Sequence, residues 1–269
     1  KTSSNFTIGN YAGNSSSYQD INTTFQPNNI WVKRSGANSN IKAVERNSNM
    51  PTDSALPFIN AVNVTGDITQ INANGFRVGA GETDTNITGS NYWYLVWKNT
   101  YTSSPPAYTM QTGYYVGNGT AKVISGLGFA PELVIIKADT TAGVGTIFKT
   151  TAMLKPNFAY MNGSATADDT NGVINLDADG FTVSGTVYDT ANARYTWEAF
   201  AGSDCTATGM FCLGTYYGSG TNPRLVVTGF QPNLMWVKAA TTGNAANWRS
   251  SSTSDNTAQF FSATIADAS

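Results

Sequence analysis

One nine-residue pattern occurs three times in this chain, as FQPNNIWVK at 25–33, FAPELVIIK at 129–137 and FQPNLMWVK at 230–238. Each copy has an aromatic residue, a proline two positions later, a run of mostly apolar residues and a final lysine. Proline fixes φ and has no N–H, so it suits the start of a strand, and the β-branched and aromatic residues after it suit a buried strand. The lysine forms the charged end of that strand. A strand that recurs at long, regular intervals predicts repeated domains.

The spacing of the repeats is regular. The prolines of successive copies lie 104 and 101 residues apart, and each follows the first glycine of a glycine-rich stretch by 18 residues. These pairs are Gly9 and Pro27, Gly113 and Pro131, and Gly214 and Pro232. The sequence therefore keeps one register over three copies.

Two further patterns follow the first two copies. INANGFRV at 71–78 matches NLDADGFTV at 175–183, and the Asn-Gly or Asp-Gly pair in each predicts a tight hairpin turn. YWYLVWK at 92–98 matches YTWEAFA at 195–201, and aromatic residues at alternate positions are typical of a strand with one buried face. The repeated unit is a set of short strands.

The third copy contains neither of these later patterns before Ser269. We therefore expect β-domains at 1–99 and 110–203, a partial β-domain at 204–269, and a linker at 100–109 whose Pro105-Pro106 pair favours an extended connector. A unit of about 100 residues can bury its own core, so the domains are expected to follow one another like beads. Either the sequence is a piece of a longer chain, or something else supplies the missing strands.

Composition limits the partners that this chain can bind. Only 12% of its residues are charged and the net charge is −2, so no basic patch is available for phosphates, and nucleic-acid binding is not expected. The longest apolar runs are far too short to span a bilayer, so membrane insertion is not expected either.

The chain has two cysteines, Cys205 and Cys212, between the second and third copies. A disulfide between them would close a short loop and stabilise the junction by roughly 2 to 3 kcal/mol. The alternative is two free thiols. A disulfide implies an oxidising location, outside the cytosol.

Enzymatic chemistry finds little support in the residue types. The chain has no histidine, which removes the commonest general base and zinc ligand. A glycosidase needs two carboxylates at one cleft, and the second copy contains a group of acidic residues. They are Asp168, Asp169, Asp177, Asp179 and Glu198.

The first copy argues against that reaction. It has Asn72 and Asn74 where the second has Asp177 and Asp179, and an amide cannot replace a proton donor. We therefore expect a protein that is not an enzyme. Asp177 and Asp179 are also weak candidates for calcium ligands, the alternative being that they hydrogen-bond their own turn; no other cofactor is expected.

Tyrosines beside the glycine-rich stretch are candidates for contact with glycans, because amphipathic aromatic side chains stack on sugars. These candidates are Tyr114, Tyr115, Tyr216 and Tyr217. Packing of the same rings over the edge of the core is the alternative. Trp31 and Trp236 occupy one equivalent position that Ile135 fills in the second copy, and this exchange indicates core packing.

The order YxGNGT, GLGFAPELVIIK, LDADGFTV and YTWEAF in the second copy resembles a module that recurs in bacteriophage tail-fibre and virion-appendage proteins. The resemblance covers essentially all of residues 6–203 and the first half of the unit at 210–269. It implies a lectin-like or jelly-roll-like β-sandwich and no catalytic residue. Together with the repeats, it predicts an all-β chain of tandem antiparallel β-sandwiches.

The expected function follows from that resemblance. We expect a structural and adhesive component of an extracellular or virion-surface fibre, of the tail-fibre or appendage type, that assembles with copies of itself. A host or cell-surface glycan or receptor is the expected further partner. The alternative is a secreted carbohydrate-binding protein. The unfinished third copy would leave sheet edges open to strand addition.

Overall fold

The computed structural model describes residues 5–36, 41–100, 108–161, 171–240, 243–253 and 258–261. These residues form 19 β-strands and no helix, and every paired strand is antiparallel to its neighbours. The prediction of an all-β fold built from antiparallel sandwiches is confirmed.

Repeat 1 contains eight strands in two sheets. The strands are β1 (Phe6–Ala12), β2 (Tyr18–Asn22), β3 (Asn29–Arg34), β4 (Val44–Asn47), β5 (Leu56–Pro57), β6 (Ile68–Asn72), β7 (Gly75–Gly79) and β8 (Asn91–Trp97). Five of them form a sheet in the order β1-β8-β3-β4-β5, and the other three form a sheet in the order β2-β7-β6.

Repeat 2 has the same topology. Its strands are β9 (Thr109–Val116), β10 (Lys122–Ser125), β11 (Leu133–Ala138), β12 (Ile147–Thr150), β13 (Ala159–Tyr160), β14 (Val173–Asp177), β15 (Gly180–Val183) and β16 (Arg194–Ala201). They form sheets in the orders β13-β12-β11-β16-β9 and β10-β15-β14. In both repeats the strand that follows the proline of the repeated pattern, β3 or β11, lies at the centre of the larger sheet. The aromatic closing strand, β8 or β16, lies beside it.

The described residues of repeat 3 form the counterparts of β3, β4 and β5. These are β17 (Leu234–Val237), β18 (Asn247–Ser250) and β19 (Gln259–Phe260), paired in chain order. Residues 211–218, which correspond in sequence to β1, form no strand. In repeats 1 and 2 the closing strand lies between the first strand and the central strand, so the described part of repeat 3 lacks the partner that would hold 211–218 in a sheet.

Each complete repeat has its own core between its two sheets. In repeat 2, Phe181 of the smaller sheet packs against Trp197, with ring centroids 5.7 Å apart. In repeat 1, Phe76 packs in the same way against Tyr94 at 5.6 Å. Both cores therefore use aromatic rings from the closing strand to fill the space between the sheets.

The opposite face of each larger sheet is buried as well. Trp31 and Ile135 are 4% and 2% exposed, and they join Trp236 in one apolar cluster with residues from all three repeats. The position shared by these three side chains is thus a core position, as the sequence indicated. The expectations of a closing strand buried on one face, and of domains arranged like beads, are wrong, because the larger sheets pack against each other through these second faces. We call this cluster the inter-repeat core.

The contacts between repeats run in one direction around a ring. Asn63 N of repeat 1 donates to Asp139 O of repeat 2 at 3.3 Å, and Ala246 N of repeat 3 donates to Met161 O of repeat 2 at 3.1 Å. Phe261 of repeat 3 returns to repeat 1, with its ring 5.4 Å from that of Trp31. The segment after the fifth strand of each repeat therefore contacts the next repeat. Each pair of repeats is thus in contact around the inter-repeat core.

The connector between repeats 1 and 2 does not act as an extended spacer at its described ends. Residues 101–107, with Pro105 and Pro106, lie outside the described residues. Thr100 N donates to Met110 O at 3.0 Å, and Met110 N donates to Thr100 Oγ1 at 2.9 Å. Thr100 and Met110, on either side of the connector, therefore lie next to each other.

The lysine that ends the repeated pattern is buried in both complete repeats, although a charge at a strand end usually lies in solvent. Lys33 is 3% and Lys137 is 1% exposed. Their ammonium groups donate to backbone carbonyls of the loop before the next strand, Ile41 O at 2.5 Å and Val144 O at 2.6 Å. Lys238 makes the matching bond to Asn244 O at 2.6 Å. The lysine recurs because it holds this loop.

The predicted hairpins are present, with the glycine one position later than in a turn centred on Asn-Gly. Asn72 pairs with Gly75 and Asp177 pairs with Gly180, so each two-residue turn precedes the glycine. A Cβ on Gly180 would lie 1.9 Å from Ile124 O of the neighbouring strand. The glycine is required by close approach of the backbone.

The repeated glycine of the first strand accommodates an aromatic ring of the closing strand. Gly9 pairs with Tyr94 and Gly113 pairs with Trp197 across the sheet. A Cβ on Gly9 would lie 2.4 Å from Tyr94 Oη, and one on Gly113 would lie 2.2 Å from Trp197 Cζ2. The ring thus occupies the space next to the glycine, a cross-strand pairing that also fixes strand register. A Cβ on Gly214, the counterpart in repeat 3, would meet no atom within 4 Å.

We expect Gly113→Ala to destabilise the protein by about 1 to 3 kcal/mol, because the new methyl group overlaps the buried Trp197 ring. Gly214→Ala is the matched control and should change stability by less than about 0.5 kcal/mol. Denaturant unfolding followed by tryptophan fluorescence measures both. Equal effects of the two substitutions would contradict this account of the repeated glycine.

Candidate functional site

The inter-repeat core contains a pair of buried carboxyl groups, from Glu45 of β4 and Glu198 of β16. Glu45 is 3% and Glu198 is 1% exposed, and the two carboxyls interact directly across the contact between repeats 1 and 2. Trp31 Nε1 donates to Glu198 Oε1 at 3.3 Å. Among the described residues, neither Glu45 Oε2 nor Glu198 Oε2 has a hydrogen-bond partner. The pair therefore lies in an apolar setting that stabilises the protonated form.

Burial is the main reason that the pKa of each carboxyl group is raised. Burial raises the pKa of Glu45 to about 7, against lowering contributions from its neighbour Glu198 and from the Lys137 ammonium. Burial and the nearby Glu45 charge raise the pKa of Glu198 well above its usual range, opposed by the hydrogen bond from Trp31. Two like charges at this distance repel, so at most one of the two carboxyls is readily ionised near neutral pH.

Lys137 joins repeat 1 to repeat 2 beside this pair. Its ammonium donates to Ile59 O at 2.7 Å and Ala61 O at 3.1 Å in repeat 1, in addition to Val144 O in its own repeat. Burial lowers its pKa to about 8, and the charge of Glu45 opposes that shift. Three carbonyl acceptors match the three N–H donors of an ammonium group.

Arg194 makes a second polar connection at the rim of the same contact. Its guanidinium pairs with Asp139 at 3.1 Å and donates to the backbone carbonyl of Asn49 in repeat 1. Asn49 Nδ2 donates in turn to Thr112 Oγ1 of repeat 2 at 3.1 Å. Hydrogen bonds are directional whereas apolar contacts are not, so these bonds at the rim fix the orientation of repeat 1 relative to repeat 2.

The carboxyl pair has the composition of an acid–base dyad but not the access that a substrate needs. Both residues are almost fully buried. A surface cavity of about 340 Å³ lies in repeat 1 beside Pro27, Arg46 and Ile71, and neither glutamate lines it. The arrangement can therefore make the stability of the contact between repeats 1 and 2 depend on the protonation of Glu45 and Glu198.

Glu198 was among the acidic residues considered for hydrolysis, whereas Glu45 was missed. Both depart from the pattern of the other repeats: Glu198 stands where repeat 1 has Leu95, and Glu45 stands where repeat 2 has Phe148 and repeat 3 has Trp248. The sequence signal for this pair was a charged residue at a position that is apolar in the other repeats. Aligning the fourth strands by register would have shown it.

The second distinctive region is the half-sandwich of repeat 3, whose inner face is open. Met235 is 47% and Val237 is 36% exposed, whereas the equivalent Val134 and Ile136 of repeat 2 are fully buried. Leu225 is 85% exposed on the segment that corresponds to the first strand of the smaller sheet. We call the face formed by 214–217, 225–227 and β17 the open face.

The two cysteines form a disulfide between repeats 2 and 3. Cys205 and Cys212 are bonded, with Cα atoms 5.0 Å apart. The loop that they close places Phe211 against Phe200, with ring centroids 6.0 Å apart. Gly229 of repeat 3 packs on the other side, where a Cβ would lie 2.1 Å from Cys205 O. The disulfide loop thus fixes the junction between the two repeats.

The four candidate tyrosines differ in their surroundings. Tyr115 is buried and donates from its hydroxyl to Tyr188 O, so its ring lies in the core of repeat 2 and away from any ligand at the surface. Tyr114 is 54% exposed, with the Arg194 guanidinium 4.4 Å from its ring centroid. Tyr216 and Tyr217 are 47% and 91% exposed on the open face. Packing over the core therefore accounts for Tyr115 alone.

The acidic hairpin residues accept hydrogen bonds from β15 and from the loop that follows β10. Asp179 accepts from Gly126 N at 3.0 Å and from Gly128 N at 2.5 Å, while Asp177 accepts from Thr182 Oγ1 at 2.7 Å. No group of three acidic, cysteine or histidine side chains able to hold a metal occurs in the part of the chain that the structure describes. Asp168 and Asp169 lie outside the described residues. The two described aspartates are not brought to Glu198.

Comparison with models of protein families gives a match to part of the chain. Residues 104–208 resemble a family described as Domain of unknown function (DUF7483). The matched range contains all eight strands of repeat 2 and less than half of the chain. No curated protein matches the chain. In the described residues, no helix is long and apolar enough to cross a membrane.

The raised pKa values predict that stability falls as pH rises through the neutral range. The folded pKa of Glu45, about 7, lies above its ordinary value of 4.5, so between these values the folded state holds a proton that the unfolded state has released. The free energy of unfolding should therefore decrease from pH 5 to pH 7. Asp67, whose pKa burial and Asp84 raise to about 7, adds a slope of the same sign.

Glu198→Gln isolates the contribution of the pair. The amide can accept from Trp31 and donate to Glu45, as the protonated acid does, so we expect a gain of about 1 to 3 kcal/mol at pH 8 and a flatter pH dependence than wild type. Glu198→Leu copies Leu95 of repeat 1 but leaves Trp31 Nε1–H unpaired, and should gain less. Denaturant unfolding at pH 5 and pH 8 tests both variants. An unchanged slope in Glu198→Gln would show that the pair does not control the pH dependence.

Proposed function

We propose that this protein is a non-enzymatic structural and adhesive component of an extracellular or virion-surface fibre, in which its repeats form a rigid block that assembles with copies of itself. The observation that supports this proposal most directly is the inter-repeat core, which joins three repeats through faces that an independent domain would expose. A disulfide at the second junction fits use in an oxidising environment.

The distribution of polar groups is consistent with a mechanical role. The titratable groups in the inter-repeat core, Glu45, Lys137 and Glu198, bridge repeats and are not placed at an accessible cleft. Bonds at the rim add directionality, as from Arg194 to Asn49. A block of this kind transmits force because its repeats cannot rotate freely about their connectors. The resemblance to modules of phage appendage proteins supports a role in a fibre on the virion surface.

Self-assembly is the test of this proposal. At high concentration under oxidising conditions we expect the protein to form elongated oligomers, detected by light scattering and electron microscopy. Glu198→Gln, which changes a group inside the block, should assemble as well as wild type and is the matched control. A monodisperse monomer over the whole concentration range would count against the fibre role.

Carbohydrate binding is the second candidate, and the exposure of two tyrosines favours it. Tyr114 and Tyr217 present 54% and 91% of their surface to solvent, so the exposed side of each ring is accessible to a sugar face. On a glycan array we expect Tyr114→Ala or Tyr217→Ala to lower binding about tenfold. Tyr18→Ala, which removes another exposed tyrosine on repeat 1, is the control. Binding that is equal in all variants, or none in wild type, would remove this candidate.

A further inference from the structure

The surface cavity of repeat 1 contains a buried charged side chain. It measures about 340 Å³ and lies where β4 and the loop after it meet β6 and residues 26–28. That volume is near the lower end of the range of about 300 to 1,000 Å³ that is usual for small-molecule sites. Its lining combines buried residues, Pro27, Arg46 and Met50, with exposed polar residues, Gln26, Ser48, Thr52 and Gln70. The cavity thus has room for one small polar ring.

Among the described residues, Arg46 is the one charged residue that lines this cavity. It is 5% exposed, and its Nη1 donates to Ser54 O at 2.6 Å and to Ile68 O at 3.1 Å. Within the same part of the chain it forms no ion pair, and its Nε has no hydrogen-bond partner. Burial lowers the pKa of Arg46, and the charge of Asp53 opposes that shift, but Asp53 itself accepts from Gly66 N at 3.0 Å. A buried guanidinium without a carboxylate is costly, and an anion in the cavity would offset that cost.

The unused edge of Arg46 is an edge that binds carboxylates in proteins. The Nε–H and one Nη2–H of a guanidinium are parallel, so together they donate to both oxygens of a carboxylate. Arg77 of β7 shows this arrangement in the same repeat, because its Nε and Nη2 donate to the two oxygens of Asp20 at 2.7 and 2.8 Å. In Arg46 both hydrogen bonds within the described residues come from Nη1. Its Nε edge therefore has the donors for a carboxylate and, in the described part of the chain, no acceptor.

Repeat 2 shows how much of Arg46 the fold itself requires. Lys149 has the same position in its repeat, since each of the two residues pairs with the second residue of the central strand. The Lys149 ammonium donates to Asn157 O, eight positions later, as Arg46 donates to Ser54 O, eight positions later. A lysine is thus sufficient to hold the loop before the fifth strand. The arginine of repeat 1 adds a second donor edge, which this loop does not use.

We propose that this cavity binds a sugar acid, a monosaccharide ring with a carboxylate, whose two carboxylate oxygens accept from the Nε edge of Arg46. The exposed side chains of Thr52 and Gln70 suit the ring hydroxyls, since both side chains donate and accept hydrogen bonds. Pro27 and Met50 present apolar surface to the C–H groups of the ring. No acidic residue is among the described residues that line the cavity, so the ligand carboxylate meets no like charge in the lining.

This site goes beyond the functions proposed above in its place and in its ligand. It lies within repeat 1, whereas Tyr114 and Tyr217 belong to repeats 2 and 3. It selects a negatively charged sugar, which stacking on a tyrosine ring alone does not. It also needs no second copy, since the residues that line it lie between positions 26 and 71 of one chain. Binding can therefore be measured on a monomer, and its outcome is independent of fibre assembly.

The test is a titration of the full chain, with its disulfide intact, with D-glucuronate at neutral pH and constant ionic strength, followed by backbone amide NMR shifts. We expect a Kd of about 1 mM, as suits so small a ligand, with shifts at 26–28, 46–52 and 69–71. D-Glucose, which lacks the carboxylate, and acetate, which lacks the ring, should each bind at least about tenfold more weakly. Equal affinity for glucuronate and either of these compounds would overturn the proposal, and so would shifts confined to other residues.

Arg46→Lys is the decisive variant. It copies Lys149 of repeat 2 and keeps a donor for the loop carbonyl, so its unfolding midpoint should stay close to that of wild type. The loss of the Nε edge should weaken glucuronate binding at least about tenfold. Arg77→Lys, the same change at an arginine whose edge Asp20 already occupies, is the control and should bind as wild type does. Gln70→Ala, at an exposed side chain, should weaken binding about threefold. Wild-type affinity in Arg46→Lys, or in Gln70→Ala if Arg46→Lys does not fold, would overturn the proposal.

Discussion

The packing of large sheets against each other through aromatic and aliphatic side chains is the interaction on which the rest of this structure depends. A sandwich domain normally buries one face of each sheet and leaves the other in water. Here the second face carries Trp31, Trp97 and Phe200, and each large side chain contributes about 1.5 to 3 kcal/mol when it is fully buried. The strands at the centre of each complete repeat are therefore buried on both sides, and the three repeats share one core.

That core explains the placement of the polar groups. Once both faces of a sheet are buried, any charged residue on it must find a partner or lose its charge. Lys33 and Lys137 meet this requirement by donating to carbonyls of neighbouring loops. Glu45 and Glu198 meet it through raised pKa values, because burial favours the uncharged form of each, so the contact between repeats 1 and 2 is sensitive to pH.

The aromatic closing strand is the second constraint. In repeats 1 and 2 it separates the first strand from the central strand and supplies the rings that cover Gly9 and Gly113. The described residues of repeat 3 include no closing strand. They form three strands attached to the inter-repeat core, and Leu225 and Met235 of the inner face are exposed to solvent. Strand formation at 211–218 depends on a partner because an isolated strand has no satisfied hydrogen-bonding edge.

The sequence by itself determined the repeat, its register, the strands and their hairpins, because these depend on local patterns: a proline before a buried strand, a glycine at a close approach, alternating aromatic residues. It also showed that residues 204–269 match the first half of the repeated pattern. It did not determine that the repeats share a core, that Lys137 is buried or that Glu45 meets Glu198, and the latter pair lies 153 positions apart in the chain. Those features depend on which face of one sheet meets another. The hydrophobic pattern of a strand buried on both sides is the same whether the second face meets another sheet, another repeat or another chain, and only the tertiary structure decides between them.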